Sequence, residues 1–232
     1  MNCLIIAAGH GSRLRAVSPS KPLTPVAGMA LIERVIRAAA AGGATRFVVA
    51  TGHEAGRLEL FLETLPFPVE PVRVADWDLP NGHSVLAGAA RIAGDYLLTM
   101  SDHLFDPAIV RALIDSPAAA LTLAVDRDLA GPLLDMDDAT KVETDQSGAI
   151  VRIGKTLARF DAIDTGLFRS GPELIAAIRD SLEAGAQGSL SDGVQSLADR
   201  GRAETVDVTG RWWLDVDDPR AFALAEDHLG AT

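Results

Sequence analysis

The first residues that could do chemistry follow a short apolar stretch at the start of the chain. Residues 4–8 are apolar without interruption, which is typical of a strand covered on both faces. Gly9 and Gly11 come next, and glycine lets a backbone turn tightly and approach a ligand closely. Arg13 and Lys21 then add two positive charges. Because backbone N–H groups in such a turn can bind phosphate oxygens, we predict a phosphate site beside the first strand.

Two better-known glycine signatures do not fit the chain. The dinucleotide-binding pattern G-x-G-x-x-G needs a glycine where Leu14 stands. The phosphate-binding pattern that ends in Gly-Lys-Thr is nearly met at residues 154–156, but its first glycine falls on Ala149. We therefore reject both interpretations.

Strand and helix patterns alternate through the first half of the chain. Predicted strands cover residues 4–8, 46–51, 69–74, 95–101 and 119–125, and predicted helices cover residues 31–41, 54–64, 85–92 and 107–115. Ser84 is the predicted N-cap of the third helix. The alternation predicts an α/β fold, in which a mostly parallel mixed sheet has helices on both faces. Ligands bind such sheets at the carboxyl ends of strands, which is where the glycine turn lies.

The second half of the chain is less regular. Residues 126–138 show no clear period and contain the breaker Gly131-Pro132. We predict a hairpin at residues 141–144 and 149–153, strands at 161–168 and 203–208, helices at 172–183 and from Ser191 as cap to about 200, and a closing helix that Asp218 caps. No linker interrupts the chain, so residues 1–232 are predicted to form a single domain, with residues 126–165 as a smaller lobe over the site.

Composition limits the kinds of partner. The formal net charge is −11 and no basic patch is evident, so we do not expect nucleic-acid binding by phosphate neutralisation. No apolar run approaches the roughly 20 residues of a membrane-spanning helix, so the chain is not expected to be membrane-embedded. A secretory signal is also lacking. The single cysteine, Cys3, excludes an internal disulfide, and we expect a cytoplasmic location.

The opening motifs resemble those of the nucleotidyltransferases that activate sugar phosphates and related phosphomonoesters. Their signature is A-A-G-x-G-[ST]-R-[LM] and, after a variable gap, K-P-L-x-P-V-x-G, which residues 7–14 and 21–28 match. The resemblance implies that a phosphate oxygen attacks the α-phosphorus of a nucleotide and that pyrophosphate leaves. It also implies that the nucleotide is held by Ala7, Ala8, Gly9, Gly11, Arg13 and Lys21.

Such a transfer needs alignment and charge neutralisation, usually with Mg²⁺. One or two carboxylates typically hold this ion together with phosphate oxygens and water. Asp102, directly after a predicted strand, is our first candidate ligand. For the second acid the superfamily has two patterns. One places it at Asp215, in a W-x-D context, and the other at Asp217. We favour Asp215 and keep Asp217 open.

Later motifs narrow the resemblance to cytidylyltransferases that make CDP-inositol from CTP and inositol 1-phosphate. These blocks are residues 100–103, 139–142, 161–168, 189–194, 207–210 and 213–217, so the resemblance covers nearly the whole chain. It implies a Rossmann-like mixed sheet, Mg²⁺ and CTP. Lys155 would meet the acceptor phosphate, Lys141 would also contact the substrate, and Asp164 would lie near the acceptor hydroxyls. Asn81, with donor and acceptor atoms, would meet a pyrimidine edge beside Ser84.

Alternatives remain at this point. The acceptor could be a sugar phosphate, phosphocholine or a phosphonate, although few aromatic residues are available for a choline cage. A protein of another class, a nucleotide-binding regulatory subunit without turnover, would keep the same fold. Some family members carry a membrane-embedded alcohol-phosphotransferase domain that this sequence lacks, so we expect the product to pass to a separate enzyme of that kind. The sequence leaves the oligomeric state open.

Overall fold

Strands and helices alternate in the computed structural model, which describes residues 1–14, 18–131 and 135–230. The predicted breaker at Pro132 lies outside the described residues. The strands are β1 (Asn2–Ala7), β2 (Pro25–Val26), β3 (Met29–Ala30), β4 (Arg46–Thr51), β5 (Val69–Arg73), β6 (Tyr96–Met100), β7 (His103–Phe105), β8 (Leu121–Asp126), β9 (Lys141–Thr144), β10 (Ile150–Gly154), β11 (Ala162–Ser170), β12 (Ala203–Asp207) and β13 (Trp213–Asp215). The helices are α1 (Leu31–Gly42), α2 (Ala55–Leu62), α3 (Gly82–Ala89), α4 (Pro107–Asp115), α5 (Pro172–Glu183), α6 (Leu190–Ala198) and α7 (Pro219–Gly230).

The apolar N-terminal strand β1 lies inside the main sheet. It pairs in parallel with β4 on one side and with β6 on the other, and β5 continues the parallel arrangement beyond β4. Beyond β6, strand β11 runs antiparallel and also pairs with β8 and β9, while β12 is parallel to β8. The predicted mostly parallel mixed sheet of Rossmann-like form is therefore confirmed.

Alternate side chains of β1 point into two separate cores. Cys3 and Ile5 pack with apolar residues of α1, α2 and α4 on one face of the sheet. Leu4 and Ile6 pack with residues of α3, α5 and α6 on the other face. Successive side chains of a strand point to opposite faces, so an uninterrupted apolar run is what a sheet covered on both faces requires. Helices on both faces are confirmed.

Two predicted helix caps were wrong. The N–H of Val85 donates to the carbonyl of Asn81 (3.1 Å), so helical bonding includes residues before Ser84 and the N-cap of α3 is Asn81. In α6 the N-cap is Ser189 rather than Ser191, because a capping box forms there. The Ser189 hydroxyl accepts from the N–H of Asp192 (3.1 Å), and the Asp192 carboxylate accepts from the N–H of Ser189 (2.8 Å). The predicted cap Asp218 does accept from the N–H of Ala221 (2.7 Å).

The sequence patterns missed the shortest strands. β7 and β13 have three residues each and pair with one another in antiparallel fashion, although they lie more than a hundred positions apart. β2 and β3 form a second small ribbon. Three residues are too few to show a period, so such strands have no local signal.

The hairpin β9–β10 is present as predicted and adjoins the main sheet. β9 pairs with β11, so the hairpin continues the sheet next to the central strands. The division of the chain into one domain with a smaller lobe at residues 126–165 stays a prediction. Among the described helices, none is both long and apolar enough to span a membrane.

Candidate active site

The glycine turn after β1 is shaped around a buried lysine. Gly11 has a φ of +57°, and a Cβ atom at this position would lie 2.4 Å from the Cβ of Lys21. Only glycine combines that backbone conformation with the space for the lysine stem. Lys21 is 9% exposed, although burial of a charge is unfavourable without partners. Its partners are carboxylates from two distant parts of the chain.

The β7–β13 ribbon brings two of the predicted acids together. Asp215 on β13 is in register with His103 on β7, and the N–H of Val216 donates to the carbonyl of Asp102 (2.9 Å). As a result, ligand atoms of Asp102, His103 and Asp215 all lie within 4.8 Å of one another. Asp102 and Asp215 therefore meet as the sequence predicted, and their role as metal ligands stays a prediction.

His103 lies between these acids. Its Nδ1 is 2.8 Å from Asp102 Oδ1 and 3.9 Å from Asp215 Oδ1. Burial lowers the pKa of His103, but the charge of Asp215 and the contact with Asp102 outweigh burial and raise the pKa to about 9. Gly166 makes room for the ring, since a Cβ atom there would lie 2.1 Å from His103 Cδ2. With the ring protonated, the cluster is partly neutralised.

The two acids have opposite electrostatic characters. Burial raises the pKa of Asp102, but the charge of Lys21 at 2.5 Å and the contact with His103 outweigh it and hold the pKa well below its usual range. Burial raises the pKa of Asp215 to about 6. The Oδ1 atom of Asp215 is buried and accepts no hydrogen bond from the described part of the chain. A buried carboxylate oxygen without a donor is suited to act as the ligand of a cation.

Asp217 contacts the two cations of the opening motif, one of which, Lys21, also pairs with Asp102. Its carboxylate pairs with the ammonium of Lys21 and with the guanidinium of Arg13. Arg13 also donates to Asp138 (2.8 Å), and this hydrogen bond, together with the charges of both carboxylates, raises the pKa of the guanidinium. The structure therefore places Asp215, rather than Asp217, beside Asp102 and His103.

Two cavities adjoin at Arg13 and Asp217. The first has a volume of about 300 Å³ and opens beside the glycine turn. Of the predicted nucleotide-binding residues, it is lined by Ala7, Gly9, Gly11, Arg13, Lys21, Asn81 and Ser84. The second has a volume of about 260 Å³ and is lined by predicted acceptor residues Lys155 and Asp164, together with Asp215. Both cavities are bordered by Arg13, Asn81, Met100 and Asp217, so the two cavities adjoin.

The acceptor-side cavity has a cation and a buried acid on its walls. Lys155 donates to Asp138, and this hydrogen bond, together with the one from Arg13, lowers the pKa of Asp138 to about 2. Burial raises the pKa of Asp164 to about 6, although its carboxylate accepts from the N–H of Gly166 (2.7 Å). The cavity can therefore offer a positive charge to a phosphate and a carboxyl group to a hydroxyl.

Two predicted site residues do not line either cavity. The carbonyl of Ala8 accepts from the N–H of His53 (2.9 Å), and its side chain packs with Ala50 and Val74. The ammonium of Lys141 donates to the carbonyls of Met136 (2.9 Å) and Lys155 (2.7 Å). These two bonds hold the ammonium of Lys141 against the backbone, and Lys141 does not line the acceptor-side cavity. Its predicted contact with substrate stays a prediction that this position does not favour.

Sequence reasoning assigned no role to several residues of the site. His103 could have been found, since it directly follows the first candidate acid. Asp138 lies in a segment without regular pattern, so its bridge between Arg13 and Lys155 had no sequence signal. Trp213 and Arg220 also border the acceptor-side cavity. The indole N–H of Trp213 donates to Asp126 (2.9 Å), which ties β13 to the end of β8.

The sheet and the site together define a class of protein. A Rossmann-like sheet carries a glycine turn with two cations at the end of its first strand, and paired acids face that turn at the ends of β6 and β13. This arrangement is that of a nucleotidyltransferase domain. Residues 3–142 match the family of MobA-like NTP transferase domains. The chain belongs to this family and is a nucleotidyltransferase.

Curated relatives match the chain over almost its whole length. The bifunctional IPC transferase and DIPP synthase of Rubrobacter xylanophilus is 33% identical over 231 residues, which is 97% of this chain and 51% of that protein. The protein of the same name from Aquifex aeolicus is 29% identical over 232 residues, covering 99% of this chain and 52% of that protein. The chain thus spans about half the length of these relatives.

Solved structures show the same fold. The inositol-1-phosphate CTP transferase from T. maritima superposes with a TM-score of 0.85 over 97% of this chain and 94% of that chain, at 24% identity. A UDP-glucose pyrophosphorylase from Acinetobacter baumanii gives a TM-score of 0.80 over 99% and 93%, at 20% identity. At these identities the superpositions establish the fold.

Proposed function

We propose that this domain is a Mg²⁺-dependent cytidylyltransferase that transfers CMP from CTP to inositol 1-phosphate, giving CDP-inositol and pyrophosphate. The observation that carries the proposal is the junction of two cavities at Arg13 and Asp217, with the Asp102–Asp215 pair facing it. A nucleotide and a phosphorylated acceptor need two adjoining sites of this kind. The choice of CTP and inositol 1-phosphate is supported by the names of the relatives and of the T. maritima neighbour.

The reaction forms one bond and breaks one. An oxygen of the acceptor phosphate attacks the α-phosphorus of CTP, and the bond from that phosphorus to the bridging oxygen of the β-phosphate breaks. Pyrophosphate leaves with the electron pair of that bond. No covalent nucleophile is needed from the protein, so its contribution is alignment and stabilisation of charge.

The cations of the site would hold the reacting phosphates. Lys21 and the backbone of the glycine turn bind the triphosphate in the first cavity, and Lys155 binds the acceptor phosphate in the second. Arg13 borders both cavities and can contact either group. Arg13 and Lys155 both pair with the carboxylate of Asp138. Bound substrate phosphates would replace this carboxylate as the partner of the two cations.

The donor set fits a divalent cation. Asp102 is ionised at neutral pH because Lys21 and His103 lower its pKa, and the buried Asp215 Oδ1 has no hydrogen-bond donor among the described residues. Oxygen ligands of this kind are what Mg²⁺ prefers. When bound, Mg²⁺ supplies positive charge to the phosphate oxygens. His103 keeps Asp102 oriented through the bond to its Oδ1 (2.8 Å).

The test is a pyrophosphate-release assay with CTP, Mg²⁺ and inositol 1-phosphate. A panel of sugar phosphates, phosphocholine and phosphonates at fixed CTP identifies the acceptor, and the other nucleoside triphosphates identify the base. Inositol 1-phosphate with CTP should give the highest kcat/KM. A higher value for another acceptor would keep the reaction and reject this substrate. Tight CTP binding without pyrophosphate release from any pair would instead indicate a regulatory nucleotide-binding protein.

The same assay tests the acid pair. Asp102→Asn should reduce turnover at least about 100-fold, a loss of roughly 2.7 kcal/mol in transition-state stabilisation, because it removes a charged ligand. Asp227→Asn is the matched control, since this exposed aspartate on α7 lies away from the cavity walls. Asp102→Asn with activity within about tenfold of wild type would contradict the assignment.

A further inference from the structure

The order of the strands gives the nucleotide cavity two different ends. Asp102 follows β6, the glycine turn follows β1, and Trp77 lies in the loop after β5. These strands are neighbours in the order β6, β1, β4, β5, and parallel strands in a sheet are about 4.8 Å apart. The cavity therefore runs across the strand ends, from Asp102 and Lys21 at one end to Trp77 and Leu79 at the other. Charge is concentrated at the first end.

The end away from the charges is aromatic. Trp77 is half-buried and lines the cavity, and two histidine rings lie close to its indole. The centroid of His53 lies 5.2 Å from that of Trp77, and the centroid of His10 lies 5.8 Å away. His10 and His53 contact one another edge to face at 4.3 Å. The indole is thus fixed within a small cluster of rings next to the glycine turn.

Backbone contacts hold this cluster in place. A Cβ atom on Gly52 would lie 2.4 Å from Trp77 Cβ, so the tryptophan packs directly on the backbone of that glycine. The next residue, His53, donates its N–H to the carbonyl of Ala8 (2.9 Å). The loop after β4 therefore connects Trp77 to the turn that follows β1. A ring fixed in this way loses little conformational freedom when a ligand stacks on it.

We propose that Trp77 is the stacking platform for the nucleobase of the bound nucleotide. The inference rests on the proposed function and names the residue that receives the base. With the triphosphate at Lys21, the base reaches the end of the cavity where the indole lies. Aromatic side chains stack with every base, typically at about 1–3 kcal/mol per base. Trp77 therefore contributes affinity, and the choice of base falls to hydrogen-bonding groups such as Asn81.

Asn81 lines the same cavity, at the border that this cavity shares with the acceptor-side cavity. Its side-chain oxygen accepts from the N–H of Leu190 (2.8 Å), which fixes the orientation of the amide group. The two contacts are complementary. Stacking on Trp77 fixes the plane of the base, and the oriented amide of Asn81 can form hydrogen bonds with polar atoms on the edge of the base. The two residues reach the site from the loop between β5 and α3.

The experiment measures binding of two probes, CTP and inorganic tripolyphosphate, by calorimetry and by tryptophan fluorescence. Trp77→Ala should weaken CTP binding by about tenfold or more, equivalent to roughly 1.4 kcal/mol, and leave tripolyphosphate binding unchanged. Trp77→Phe should bind CTP within a fewfold of wild type, because a phenyl ring still stacks, but should lose most of the fluorescence quenching that CTP causes. Trp212→Phe is the matched control, since Trp212 stacks on His228 at 4.1 Å and does not line this cavity.

Two outcomes would overturn the inference. In the first, Trp77→Ala binds CTP as well as wild type. In the second, it loses CTP and tripolyphosphate equally, which would mean that Trp77 only supports the glycine turn. The proposed function can fail separately. If wild type binds CTP through Trp77 but releases no pyrophosphate with any acceptor, the platform stands and the catalytic proposal falls.

Discussion

At the scale of single residues, the site depends on how three aspartates divide their partners. Asp102 shares Lys21 with Asp217, and Asp215 faces His103 without a hydrogen-bond donor on its Oδ1 among the described residues. The three carboxylates are chemically identical and differ only in what surrounds them. Because their environments differ, replacing each aspartate by asparagine should have a different effect on metal binding.

Asp215→Asn and Asp217→Asn should separate the ligand from the ion-pair partner. Asp215→Asn should weaken binding of Mn²⁺, used as a spectroscopic probe for Mg²⁺, at least about tenfold, because it removes a charged oxygen from the acid pair. Asp217→Asn should change Mn²⁺ affinity less than about threefold, since its carboxylate pairs with Lys21 and Arg13. Electron paramagnetic resonance of the free ion measures both affinities. The reverse order of effects would make Asp217 the second ligand.

At the scale of elements, two structural details decide where the site residues lie. The first is the bulge in β11, where pairing with β8 shifts register between Asp164 and Phe168. Gly166, with a φ of +76°, sits in this bulge against the ring of His103. Bulges are common beside active sites because they redirect side chains. Here the bulge both points Asp164 to the acceptor-side cavity and leaves room for His103.

Gly166→Ala should therefore damage the site beyond its effect on stability. Alanine in a left-handed conformation costs roughly 1–2 kcal/mol, and its Cβ would collide with His103. We expect loss of at least about tenfold in kcat. Gly94→Ala is the matched control, since Gly94 has a φ of +73° and a Cβ atom added there would meet no other atom within 4 Å. Urea unfolding and steady-state kinetics on both variants measure the two effects. Equal activity losses would mean that strain alone is responsible.

The second detail is the capping box at the start of α6. Ser189→Ala should lower the free energy of unfolding by about 1 kcal/mol, because the N–H of Asp192 loses its acceptor. Ser191→Ala should change it by less than about 0.5 kcal/mol, since that serine lies inside the helix. Urea denaturation of the two variants gives the comparison. A larger loss for Ser191→Ala would restore the cap that the sequence suggested.

At the scale of the whole molecule, one sheet connects all the parts of the site. β1 contributes to the cores on both faces, and the β9–β10 hairpin is joined to the same sheet through β11. The two cavities are thus built on one framework. The curated relatives are about twice as long, so this framework corresponds to about half of each of them. The expected hand-off of product to a separate membrane alcohol phosphotransferase stays a prediction.

Shared cores predict a single unfolding transition. Ile5→Ala should lower the free energy of unfolding by about 2–5 kcal/mol and shift the whole transition, because Ile5 is fully buried at the centre of the sheet. Urea unfolding followed by tryptophan fluorescence and by far-ultraviolet circular dichroism should give coincident curves. Two separated transitions would indicate that residues 126–165 unfold as an independent lobe.

Much of the fold could be read from local patterns. The continuous apolar run at residues 4–8 predicted a strand that is covered on both faces. The alternation of strand and helix patterns predicted the mostly parallel sheet with helices on both faces. The glycine turn and Asp102 were found at the ends of predicted strands, and Arg13 and Lys21 by their charge and by the motif that they share with the family. These features depend on neighbours in sequence, so local chemistry is enough to show them.

Only the tertiary structure showed which side chains of the site contact one another. The three-residue strands β7 and β13 have no period, and their pairing is what sets Asp215 beside His103 and leaves Asp217 to Lys21 and Arg13. In the same way, Lys141 bonds to backbone carbonyls instead of lining a cavity, and Asp138 joins Arg13 to Lys155. Each of these outcomes is a contact that depends on how the chain folds back on itself. Local residue patterns do not reveal such contacts, because the contacts form only when the sheet brings the strand ends together.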